Sequence, residues 1–137
     1  MVVVRAVASL LALFPVGVHA QSFCKVDHFI YVPGQAVETT MKTVVASVKR
    51  TSAVPGAQPW NWCNLHFQSN NPFYKPIEVT KKPAMGEVAH GSYSIRYRSN
   101  KAGKDSFVFM LHQSDARTNA VRATPVTVRV EVVEAPF

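Results

Sequence analysis

The chain has 137 residues, enough for one domain, and carries 15 Lys and Arg against 8 Asp and Glu, a formal net charge of +7. The basic residues are scattered and form no dense tract, so no specific nucleic-acid contact is expected. The charge still favours anionic surfaces such as acidic glycans, lipid headgroups or nucleic acid in general.

Residues 1–20 read as a secretory signal. Arg5 supplies the positive n-region, residues 6–18 are apolar apart from Ser9, Pro15 and Gly17, and Val18 and Ala20 are the small residues ahead of a cleavage point before Gln21. The run is too short to span a bilayer, which takes about 20 apolar residues. Cys24 follows Gln21, Ser22 and Phe23 rather than the Leu and small residue of a lipoprotein. An exported, periplasmic or secreted, non-spanning domain of residues 21–137 is therefore expected. Losing Arg5 leaves 14 of the 15 basic residues against 8 acids, about +6.

Two cysteines, Cys24 and Cys63, remain. An even pair in an exported chain reads as one disulfide. It would close a loop of about forty residues, worth about 4 kcal/mol in the chain-entropy picture. With the two cysteines read as one disulfide, no cysteine metal site is expected.

From there the pattern has period two almost throughout. Val26, His28 and Ile30 alternate with Asp27, Phe29 and Tyr31 before a turn at Pro33-Gly34. Residues 37–48 are rich in Val and Thr, with Val44, Ala46 and Val48 expected on one face and Thr43 and Ser47 on the other. Residues 49–58 read as a loop. Cys63, Leu65 and Phe67 alternate with Asn64, His66 and Gln68, and Asn70-Asn71-Pro72 marks the next turn. Ile77 and Val79 open a strand that stops at Pro83. A short segment follows at residues 87–89. Tyr93, Ile95 and Tyr97 are expected to face one way, with Ser94, Arg96 and Arg98 facing the other. Phe107, Phe109 and Leu111 form another strand, and the valines of residues 121–133 the last. No helical spacing occurs beyond the signal. Seven or eight short strands between Gly, Pro and Asn turns indicate an all-β, single antiparallel sandwich.

Pro83, Gly86, Val88, Tyr93, Tyr97, Gly103, Asp105, Ser106, Phe107 and Phe109, followed by a Val-Thr-Val terminal strand, carry a resemblance. From residue 77 to 132 the chain resembles bacterial cadherin-like and immunoglobulin-like repeat domains of exported proteins. The resemblance implies an immunoglobulin-like β-sandwich and a structural role for the turn Gly103, Asp105, Phe107. Some such repeats bind calcium through clustered acids. Here the corresponding loop, residues 112–117, has a single acid, Asp115, beside Arg117, too few hard oxygen ligands for calcium.

Catalytic signatures are missing from the sequence. There is no Gly-x-Ser-x-Gly, no glycine-rich phosphate loop, and the acids are dispersed, so no enzyme and no cofactor are expected. Trp60 and Trp62, with Phe73 and Tyr74 in the next loop, are the candidate partner-binding residues. Two placements stay open for the tryptophans: packed beside the disulfide as core, or exposed anchors, with Trp60 the better candidate for exposure. The first functional reading is a binding, adhesion-type or structural module of the cell envelope, its partner a protein or glycan. A second is a periplasmic copper-handling protein that uses His28 and His66 with Met41, Met85 or Met110. A third is a salt-sensitive binder of anionic polymers.

Overall fold

The computed structural model describes residues 22–30, 32–48, 61–65, 67 and 71–137. The signal segment, the 49–58 loop, Trp60 and His66 lie outside the described residues. Among those described, the chain is all-β with no helix and forms eight strands: β1 (Cys24–Val26), β2 (Val37–Val44), β3 (Cys63–Leu65), β4 (Glu78–Lys81), β5 (Glu87–His90), β6 (Ile95–Arg98), β7 (Gly103–Ser114) and β8 (Val121–Val133). A five-stranded sheet has the order β1-β2-β8-β7-β4, and a three-stranded sheet the order β3-β6-β5.

The β7–β8 hairpin is the backbone of the larger sheet. Its register runs from Gly103 opposite Val132 to Ser114 opposite Val121. At its tip, the Asp115 side chain accepts the Arg117 N–H at 2.8 Å and the Asp115 carbonyl accepts the Asn119 N–H at 2.8 Å. Asn119 takes a positive φ of 55°, which Asn tolerates better than most residues. Phe107, Phe109 and Leu111 on β7 and Val126, Val128, Val130 and Val132 on β8 are buried, because alternate positions of paired strands face one side. Pro125 sits one residue before β8 acquires β2 as its second neighbour, where its missing N–H disturbs the ladder least.

The all-antiparallel expectation is corrected here. Strand β2 lies parallel to β8, from Val37 opposite Val126 to Val44 opposite Val133, so the large sheet is mixed. Alternation of apolar and polar residues is the same read in either direction and carries no information about strand polarity. Strand β2 alternates up to its end, where Thr43 and Val44 are both buried. Thr39, Met41 and Thr43 point into the core, and Glu38, Thr40 and Lys42 lie on the other face. The Thr39 hydroxyl donates to the Asp27 carbonyl at 2.8 Å, and that of Thr43 to the Val44 carbonyl at 3.2 Å. A buried hydroxyl with a partner costs little, so threonine can take an inward β position. Strand β2 ends at Val44, and Ala46 and Val48 belong to the turn beyond it. The first strand stops at Val26, and Ile30 is 80% exposed.

Both sheets feed one core. Cys63, Leu65, Ile95 and Tyr97 from the smaller sheet join the Phe and Val ladder of the larger one. The Tyr97 and Phe107 rings stack at 5.9 Å between centroids. On one flank, the Cys24–Cys63 disulfide ties β1 to β3, with Cα atoms 5.4 Å apart.

Candidate functional site

Asp105, on β7, organises the connection that leads into the small sheet. Its carboxylate accepts the N–H groups of Ala84 at 2.8 Å, Met85 at 3.1 Å and Gly86 at 2.9 Å. It also accepts the Ser106 N–H at 2.9 Å and the Tyr97 hydroxyl at 2.8 Å. Burial pushes this carboxyl up, but the bonds from Gly86, Tyr97, Ala84 and Ser106 outweigh burial and hold it below its ordinary value. Burial, reinforced by the bond to Asp105 and its charge, pushes the Tyr97 phenol well up, so it remains a neutral donor. The fit leaves no room at Gly86. A β-carbon there would stand 2.5 Å from the Tyr97 ring and 2.6 Å from the Arg98 carbonyl oxygen. Gly103, at the start of β7, has a φ of 140° that L side chains rarely adopt. Phe107 is wholly buried.

Held in this way, the chain enters β5 at Glu87, opposite Arg98 on β6. Glu87 accepts the Arg98 Nε–H at 2.6 Å. Trp62 precedes β3 and is half-buried, with the Arg98 guanidinium 4.1 Å and the Arg96 guanidinium 4.9 Å from its ring centroid. It therefore neither packs as core beside the disulfide nor stands bare in solvent. Asn64 and Ala89 flank Arg96 on the two neighbouring strands. Beside Arg96 lies a cavity of about 260 Å³ lined by Asn64, Ala89, His90, Ser94 and Arg96, with the turn at Gly91 as its end.

The same turn carries Tyr93. It was expected to point inward with Ile95 and Tyr97, yet it is 52% exposed, because it precedes β6 and is not subject to the strand's alternation. Its ring packs on Phe73 at 5.0 Å, Phe73 on Phe67 at 6.0 Å, and Phe67 on the buried Phe109 at 6.0 Å. Tyr74 is 43% exposed and meets the His112 ring edge-on at 5.8 Å. Backbone bonds from Tyr74 N–H to the His112 carbonyl (3.1 Å), Ser114 N–H to the Pro72 carbonyl (2.9 Å) and Ile77 N–H to the Ser92 carbonyl (2.8 Å) pin this loop to β7 and to the β5–β6 turn.

Among the candidate residues, then, the fold joins Phe73 and Tyr74 through Tyr93 to the turn that lines the Arg96 cavity, and it places Trp62 under the two arginines. His28 is exposed on the segment after β1, and Met41 is core at 1% exposure. Among the described residues no group of three or more His, Cys, Asp or Glu side chains could hold a metal ion. Arg96, Asn64 and Tyr93 were not singled out by sequence reasoning. The outward i, i+2 spacing of Arg96 and Arg98 was the one local signal for part of this surface. Compared with known protein families, curated proteins and solved structures, the chain matches none.

Proposed function

We infer that the chain is an exported, non-enzymatic binding module with an immunoglobulin-like sandwich fold, acting in the cell envelope or outside the cell. Its contact surface is the end of the molecule formed by the 71–77 loop and the β5–β6 turn. The disulfide and the two sheets sharing one core support the fold and the compartment. The observation that carries the binding role is the pair of exposed rings, Tyr74 and Tyr93, each resting on a rigid aromatic base. Aromatic side chains already ordered before contact lose little conformational freedom on binding, which is why they serve as anchors. A rigid β framework that presents its contacts at loops is a common basis for recognition.

The test is an array of envelope proteins and polysaccharides probed with the exported protein and with a Tyr74→Ala, Tyr93→Ala double variant. Retention by the parent and loss of about tenfold or more in the variant, with an unchanged thermal transition, is the expected result. Equal retention by both would remove the aromatic end as the contact surface.

A further inference from the structure

Arg96 stands out among the charged residues of the small sheet. Its neighbour on the same face, Arg98, already has a carboxylate partner in Glu87. Among the described residues no carboxylate pairs with Arg96, whose guanidinium carbon lies over the Trp62 ring, 4.9 Å from its centroid. A guanidinium held over an indole by cation–π attraction leaves its N–H donors available for an anion, and Arg96 is exposed. This planar fork matches a carboxylate bidentately. The cavity beside it is small, about 260 Å³, and is walled by Asn64, Ser94 and His90, groups that can donate to and accept from hydroxyls. Ala89, the residue paired with Arg96 on β5, adds only a methyl group and keeps the floor open.

We propose that this cavity binds a carboxylated sugar unit of an anionic polysaccharide, with Arg96 on the carboxylate, Asn64 and Ser94 on ring hydroxyls, and Trp62 as the positioning residue that holds the guanidinium. The proposal rests on the reading of the chain as a binding module and names its ligand class. Three observations select a sugar acid. The fork takes an oxyanion such as a carboxylate through two parallel bonds, the cavity accepts one ring rather than a folded segment, and its lining joins the polar Asn64, His90 and Ser94 to the apolar Ala89 and Ile95, which suits the hydroxyls and the C–H face of a sugar. Nucleic acid fits less well. Binding of single strands on a sheet uses open aromatic faces for base stacking, and the Trp62 ring already has guanidiniums 4.1 Å and 4.9 Å from its centroid. Tyr93, on the turn that ends the cavity, offers a ring to the next unit along a chain of sugars.

The test uses polygalacturonate as probe, with neutral dextran and a single-stranded oligothymidylate as comparators, measured by calorimetry on the exported protein. Polygalacturonate is expected to bind, to weaken as salt is added, and to exceed both comparators. Arg96→Ala should lower its affinity about tenfold or more, and Arg96→Lys nearly as much, because a point charge lacks the fork. Lys104→Ala removes the same charge from the other sheet and should change affinity less than about twofold. Both positions are exposed, and unchanged thermal transitions would show that the variants are folded. Equal losses for Arg96→Ala and Lys104→Ala would overturn the proposal in favour of diffuse charge, and tighter binding of the oligothymidylate would overturn it in favour of nucleic acid. Absence of polygalacturonate binding would also overturn it. The binding-module reading would survive that result if the Tyr74, Tyr93 variant still lost another partner.

Discussion

On the outer face of the five-stranded sheet, Lys25, Lys42, Glu131 and Lys104 occupy one row across β1, β2, β8 and β7. One row away, Arg129 pairs with Glu38 at 2.9 Å. On the outer face of the three-stranded sheet, Arg96 and Arg98 sit two residues apart on the central strand, and Glu87 is paired with Arg98 alone. On the large sheet Glu131 stands between Lys42 and Lys104 and Glu38 holds Arg129, so carboxylates are interspersed among the cations, although Lys25 lies opposite Lys42. On the small sheet the two cross-strand neighbours of Arg96, Asn64 and Ala89, carry no charge. Its central strand keeps an arginine whose contact is an aromatic ring and whose donors face solvent. The large sheet therefore supplies the hydrophobic framework, and the small one presents a chemical surface.

The largest expected effect tests whether the small sheet depends on the large one. Reducing Cys24–Cys63 releases a loop of sequence separation 39 and should lower stability by about 4 kcal/mol. Hydrogen exchange should show the β3 amides losing protection before those of the β7–β8 hairpin. A loss below about 1 kcal/mol, or equal loosening of both sheets, would mean that the shared core alone joins them.

Next in size is the Asp105 corner, the second link between the sheets. Asp105→Ala orphans four N–H groups and the Tyr97 hydroxyl and should cost about 3 kcal/mol in urea unfolding. The folded-state pKa of this carboxyl lies below its ordinary value of 3.8. Its contribution is therefore complete above that value and is lost as pH falls through the folded-state pKa. Comparing urea midpoints at about pH 6 and about pH 3 should show a steeper decline in the parent than in Asp105→Asn. Parallel declines would contradict the assignment.

The smallest effect sharpens the contrast between the two outer faces. Glu38→Gln and Glu87→Gln each remove an exposed ion pair and should change stability by less than about 1 kcal/mol. On polygalacturonate they should diverge. Glu87→Gln frees Arg98, two positions from Arg96 on the same strand, and should raise affinity about twofold, whereas Glu38→Gln should leave it unchanged. Identical behaviour would show that the two faces are equivalent.

Much of the scaffold was legible because it is local. The alternation of Phe107, Phe109 and Leu111, and that of Val126 to Val132, marks the buried faces of β7 and β8 without reference to any partner. The pairing of Cys24 with Cys63 follows from there being no third cysteine. The inward face of β2 was not legible because β-branched Thr and Val suit a strand equally well. Which of them goes inside depends on the register with β8 and on hydroxyl partners such as the Asp27 carbonyl. Tyr93 was misplaced because alternation holds only within a strand, and β6 begins at Ile95.

From sequence alone came the all-β class, the strand-rich C-terminal half, the disulfide and the solvent-facing side of Arg96 and Arg98. Each is written in residues a few positions apart, or in a pair with no competitor. Tertiary structure decided the parallel joining of β2 to β8, the capture of residues 84–86 by Asp105 some twenty positions later, and the meeting of Trp62 with arginines more than thirty positions away. Those contacts lie across strands, and a period-two pattern specifies a face while remaining silent about the strand that will lie beside it.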